Sequence, residues 1–141
     1  MNLFPKQTKF NKYQKSRIKS CLENKSIKPR FGFFAIQALE QCKLTSKQLT
    51  SIQKILQNKI KKEAKVWLRC YPDIPVTKKP TEVRMGKGKG SVHQWIAKIP
   101  KGKIIFEITG KNHNFIKKVL NNCLNKLPVK TIIITKLDKI K

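Results

Sequence analysis

The chain has 141 residues, with 33 Lys+Arg against 7 Asp+Glu, for a formal net charge of +26. That length favours a single domain, and 39% apolar residues supply one modest core while excluding a wholly disordered basic tail. So much positive charge, spread from Lys6 to Lys141, repels itself unless a polyanion neutralises it. Nucleic acid contacted on several sides fits better than one acidic protein dock.

Residues 1–30 read as a basic, irregular arm. Nine of them are Lys or Arg, opposed by Glu23 alone, and Phe4, Phe10 and Tyr13 interleave the charge. Lysines with interspersed aromatics suit phosphates and unstacked bases. Residues 1–10 contain no apolar h-region and no cleavage site, so no secretory signal is expected. The chain is expected to work in the compartment where it is made.

Residues 31–135 read as one α+β domain, an antiparallel or mixed sheet with two packed helices. Residues 31–39, FGFFAIQAL, have strand composition. Thr45 and Gln48 form a capping box. Leu49, Ile52, Ile55, Leu56 and Ile60 follow at helical spacing, which predicts a helix over 46–62. Residues 65–71 alternate like a strand and stop at Pro72. Residues 74–91 carry two prolines and Gly86, Gly88 and Gly90, and read as a long loop, a length usually functional or disordered. Residues 92–99 and 103–109 read as a hairpin around Pro100–Gly102, with Trp95, Ile96 and, on the earlier strand, Trp67 as core candidates. Ile116, Val119, Leu120, Cys123, Leu124 and Leu127 mark a second amphipathic helix ended by Pro128. Residues 129–135 form a β-branched strand, and 136–141 a basic tail.

The long loop carries the functional argument. Glycine at alternate positions lets backbone approach a surface closely, and the intervening Lys87 and Lys89 put charge along that path. Freed amides can cradle phosphate oxygens. The spacing fails the phosphate-binding G-x-x-x-x-G-K-[ST] pattern, because Ser91 falls where its glycine is needed. It also fails G-x-G-x-x-G, because the pattern is G-x-G-x-G and a strand follows. Arg84 is the candidate for a bidentate phosphate contact or a base stack.

Residues 79–95, KPTEVRMGKGKGSVHQW, closely resemble the signature loop of the L-sixteen family of large-subunit ribosomal proteins. The resemblance runs along nearly the whole chain, through FPKQTKFNKYQKSRIK, RFGFFAIQAL, LTSKQLTSIQKILQNKIKK, KVWLRCYPDIPVTKKP, PKGKIIFEITG and KLPVKTIIITK, in order and spacing. Gln7 and Asn11 stand where the family has arginines, and Ala35 where a glycine is common. Residues 111–114 replace an Ala-rich, acidic helix opening.

The resemblance implies an α/β-hammerhead fold and a structural role in the large ribosomal subunit. That role is to bind large-subunit rRNA and help form the aminoacyl-tRNA (A) site near the peptidyl-transferase centre. The implied partners are that rRNA, A-site and P-site tRNA and neighbouring large-subunit proteins, with no membrane, small-molecule substrate or cofactor. The RNA-binding residues expected are Lys6, Lys9, Phe10, Lys12 and Arg17 in the arm. In the loop they are Lys78, Lys79, Arg84, Met85, Gly86, Lys87, Gly88, Lys89 and Gly90.

Rival classes fare worse. The seven acids form no sequence cluster for metal-assisted hydrolysis, so no enzyme is expected. A generic nucleic-acid-compacting protein is the alternative. Cys21, Cys42, Cys70 and Cys123 include no C-x-x-C pair, which favours reduced thiols over zinc or disulfides. Abundant Lys (29), Ile (17) and Asn (9) suggest an A+T-rich genome, hence an organelle-encoded protein of the mitochondrial matrix, with a plastid or a bacterial cytoplasm as alternatives.

Overall fold

The structure is a computed structural model that describes residues 3–14, 17–18, 20–61 and 63–137. Of the predicted basic tail, residues 138–141 lie outside the described residues. The elements in chain order are β1 (Phe34–Ala38), β2 (Cys42–Thr45), α1 (Ser46–Ile60), β3 (Ala64–Leu68), β4 (Ile74–Lys78), β5 (Ser91–Ile99), β6 (Ile104–Gly110), α2 (His113–Leu124) and β7 (Thr131–Thr135).

The strands form two sheets rather than the one expected. One has the order β3-β6-β1-β7 and the other β2-β5-β4, and every strand pair is antiparallel. The expected hairpin of residues 92–99 with 103–109 does not form. Instead β5 pairs with β2 and β4, while β6 pairs with β1 and β3. Pro100–Lys103 is a crossing between sheets. Gly102 takes φ 86° there, its amide donates to the Ala38 carbonyl, and the Lys103 carbonyl accepts from the Ala38 amide. With those bonds made to β1, the chain leaves one sheet and enters the other at a single turn.

The helices form where the sequence puts them, with shifted ends. The Thr45 side chain accepts from the Gln48 amide at 3.2 Å, and the Gln48 side chain accepts from the Thr45 amide at 2.9 Å. This capping box satisfies two donors that the first turn otherwise leaves open. The C-terminal end falls at Ile60, short of residue 62, because Lys61 turns to φ 48°. The second helix begins at His113, earlier than its apolar spacing shows. Asn112 caps it by accepting from the Phe115 amide at 3.1 Å, and its opening residues His113 and Asn114 are polar and so lie outside the apolar spacing.

Leu49, Ile52, Leu56 and Ile60 of α1 meet Ile116, Val119, Leu120 and Cys123 of α2 in one core with Phe34, Ile36, Phe106 and Ile108. The second helix lies over β7, β1 and β6, and α1 spans from β3 to β2 and β5. Thus α1 joins the two sheets. Trp67 and Trp95 are only half-buried, unlike the expected core residues. Trp67 stacks on Phe31 with centroids 6.2 Å apart, and Trp95 lines an open cleft with Leu3 and Phe4.

Candidate nucleic-acid interface

Residues 74–78 are a strand, so the predicted loop narrows to the connection at the tip of the β4–β5 hairpin, residues 79–90. Proline at 75 is accommodated because β4 is an edge strand. Residues 80–89 are all exposed, and Met85 is 94% exposed. The glycines act in two ways. Gly86 and Gly88 have φ 95° and 86°, flank Lys87 at φ 51°, and have open space where a Cβ would be. They set the backbone path and leave it approachable. Gly90 answers to packing, because a Cβ there would lie 2.6 Å from the Lys78 carbonyl oxygen and 2.8 Å from its carbon. Its absence lets β5 start alongside β4.

Lys79 Nζ donates to the Gly86 carbonyl across the loop. Arg84 is exposed and, among the described residues, has no carboxylate partner, Glu82 included. Its planar fork is available to an external phosphate.

The arm contributes Lys6, Lys9, Phe10, Lys12 and Arg17, all exposed, and Lys9 Nζ sits 5.6 Å from the centroid of the Phe10 ring. The structure brings part of this set onto the loop. Lys12 Nζ donates to the Lys89 carbonyl at 2.9 Å, and Lys89 Nζ donates to the Tyr13 carbonyl. An ammonium has three donors, so each lysine keeps protons for phosphate while clasping backbone. Lys78 ends β4 opposite Ser91, one residue from Gly90. Lys6, Phe10 and Arg17 make no such bond to the loop among the described residues.

The root of the arm is fixed by a residue absent from the expected site. Glu107 is the one charged or polar residue buried among the described residues, at 0% exposure. Its Oε2 accepts from the amides of Arg30 (3.1 Å), Phe31 (2.6 Å) and Gly32 (3.0 Å), and its Oε1 pairs with Arg69 Nη1 at 2.5 Å. Arg69 also lies over the Phe31 ring, 4.9 Å from its centroid. Gly32 fits because a Cβ would stand 2.7 Å from the Ile108 backbone. A carboxylate inside the continuous apolar run Ile104–Ile108 was the available signal, since a buried acid must find donors.

Among the described residues, no three His, Cys, Asp or Glu side chains come together as a metal site, and no helix is long and apolar enough to cross a membrane. All four cysteines are free thiols. Burial pushes Cys42 up to about 11 and Cys70 to about 12, with Lys103 opposing the latter shift.

Against known proteins, residues 5–134 match the family model described as Ribosomal protein L16p/L10e. The chain is 42% identical over 135 residues to a large ribosomal subunit protein uL16 from Wigglesworthia glossinidia brevipalpis, covering 96% of this chain and 98% of that one. It is also 42% identical over 137 residues to a large ribosomal subunit protein uL16 from Maricaulis maris (strain MCS10), covering 97% and 99%.

Proposed function

The chain belongs to the ribosomal protein L16p/L10e family, and from that membership we propose that it is a structural constituent of the large ribosomal subunit. In this reading it binds large-subunit rRNA and helps form the aminoacyl-tRNA site near the peptidyl-transferase centre. The observation that carries the reading is the exposed stretch 80–89, unpaired with acids among the described residues and joined at Lys89 to the cationic arm. Lys6, Lys9, Lys12 and Arg17 anchor the arm by charge. Lys78, Lys79, Lys87 and Lys89 meet phosphates along the hairpin. Arg84 makes the one contact that depends on planar geometry, and residues 85–90 let backbone approach RNA or tRNA. Neighbouring large-subunit proteins and the A-site and P-site tRNAs are the further partners.

The test is Arg84→Ala in assembled ribosomes. Arg84 is one phosphate partner among many cations, so its removal impairs tRNA accommodation more than it impairs retention of the protein. Large subunits that lack the protein altogether would refute this division of roles. Sedimentation at about 0.5 M monovalent salt separates the alternative of a generic compacting protein, because nonspecific phosphate binding collapses over such a rise. An integral constituent stays with the large subunit.

The Lys-, Ile- and Asn-rich composition carries the proposal of a mitochondrial ribosome. The two relatives are bacterial and fit the alternative, a bacterial cytoplasm. They add nothing to the mitochondrial assignment.

A further inference from the structure

Where the arm crosses the base of the loop, a cavity of about 380 Å³ opens over the three-stranded sheet. Its walls include Tyr13 from the arm, Lys89 from the loop, Lys43 from β2, Thr77 from β4, and Gln94 and Ile96 from β5. Its volume lies at the small end of the roughly 300–1,000 Å³ typical of ligand sites, suited to one base with its sugar rather than to the edge of a duplex.

The chemistry of the walls is mixed in a specific way. Tyr13 supplies a 41% exposed aromatic ring, and Ile96 and Ile74 an apolar floor. Lys43 and Lys89 supply positive charge, and among the described residues no carboxylate lines the cavity. The Gln94 amide offers both a donor and an acceptor, and makes no hydrogen bond to the described residues. A stacking ring, an amide matching a base edge and flanking cations are what an unstacked RNA base requires. An acidic peptide would use the lysines but leave the ring and the amide unmatched.

We propose that this cavity receives a single extruded rRNA nucleotide. Its base stacks on Tyr13 and meets the Gln94 amide, and its phosphate lies against Lys89 and Lys43. The inference rests on the rRNA-binding reading above and adds a base-recognition site to contacts otherwise made to backbone. Tyr13 thereby becomes a stacking residue, and the Lys12–Lys89 clasp positions it over the cavity.

The test uses assembled large subunits carrying p-azidophenylalanine in place of Tyr13, with photocrosslinks mapped by reverse transcription. A single rRNA nucleotide should crosslink. In separate subunits, Tyr13→Leu should raise the chemical reactivity of that same base. Removal of one stacked aromatic shifts the docked-to-free equilibrium roughly 5- to 150-fold. Tyr13→Phe should leave the base protected, and Gln94→Leu should expose it to a smaller degree. A crosslink to a neighbouring protein, or unchanged base reactivity in Tyr13→Leu subunits that retain the protein, overturns the inference and leaves the ribosomal reading standing. Absence of the wild-type chain from large subunits overturns both.

Discussion

Replacing Glu107 by Gln removes a buried charge while keeping the shape of the side chain. In the native chain one carboxylate oxygen accepts three consecutive amides, from Arg30 to Gly32, and the other pairs with Arg69 at 2.5 Å. Glutamine can keep its carbonyl toward the three amides, but its NH₂ then faces the Arg69 donor. The arginine loses its counter-charge, and the three amide bonds lose their charge-assisted part. Hydrogen bonds to charged groups contribute about 1.5–3 kcal/mol, against about 1 kcal/mol for neutral ones. Breaking a buried ion pair costs about 3–5 kcal/mol. The Arg69 side chain keeps 17% exposure, so water recovers part of that cost and the lower end, about 3 kcal/mol, is expected. For a chain of this length each kcal/mol moves Tm by about 3–4 °C, giving a drop of about 10 °C.

Thermal melting of the full chain by circular dichroism measures this drop. Trypsin cleavage after Arg30 should accelerate as well, because the variant frees the backbone on either side of that bond. Gly32→Ala should also accelerate cleavage without touching any charge, since its Cβ would strike the Ile108 backbone. A Glu107→Gln chain that melts within about 2 °C of wild type, with unchanged cleavage after Arg30, would refute the claim that this carboxylate holds the arm.

The two kinds of loop glycine should separate in stability measurements. Gly90→Ala forces apart the start of the β4–β5 hairpin and should cost about 1–3 kcal/mol, the usual range for overpacking. Gly86→Ala meets open space but is strained at φ 95°, so the exposed loop should take a different path and its RNA footprint should change more than the melting temperature. Stability should also fall as pH rises above about 9. Cys42 and Cys70 titrate near 11 and 12 when folded but from 9.0 unfolded. The unfolded chain therefore loses those protons first, and the thiols' contribution, intact below pH 9, is lost toward pH 11–12. A stability-against-pH series for wild type and Cys70→Ala checks this, with a flatter alkaline fall expected for the variant. Replacing one arm lysine, Lys9→Gln, should lower the slope of log affinity against log salt by about one unit, read from binding isotherms at several salt concentrations.

The helices were legible because each carries its own signal. Thr45 and Gln48 state where α1 begins, and the i, i+3, i+4 spacing of Ile116, Val119 and Leu120 marks the buried face of α2. The 79–90 tip was legible from its glycines, although β4 was absorbed into it because Pro75 reads as a breaker and is harmless only on an edge strand. Strand β2 was missed. Its four residues run directly into the cap of α1, too short for alternation to show. Strand pairing was misread for a related reason. The Pro-Lys-Gly-Lys sequence at 100–103 satisfies a hairpin turn locally, and only the partners of Ala38, distant in sequence, show that it crosses between sheets. The tryptophans read as core by alternation, yet Trp67 stacks on Phe31 and Trp95 shares an open cleft with Phe4, arrangements no local pattern encodes.

The same non-local logic explains why the residues that hold the arm in place were absent from the expected RNA-binding set. Charge and glycine are local marks, so the loop and arm cations could be proposed as RNA contacts from the sequence alone. Residues that hold those cations in place do not name their partners, which lie about 75 positions away, as with Glu107 and Arg30–Gly32 or Lys89 and Tyr13. The arm is tied at Glu107 on the four-stranded sheet and at Lys89 beside the three-stranded one. Both ties use backbone groups of the N-terminal segment, and the second adds the Lys12 side chain, so the arm's path tolerates changes in most arm side chains other than Lys12. A chain of net charge +26 would otherwise drive such an arm away from its own body. Holding it largely by backbone bonds leaves Lys6, Lys9 and Arg17 exposed, where a phosphate surface can use them.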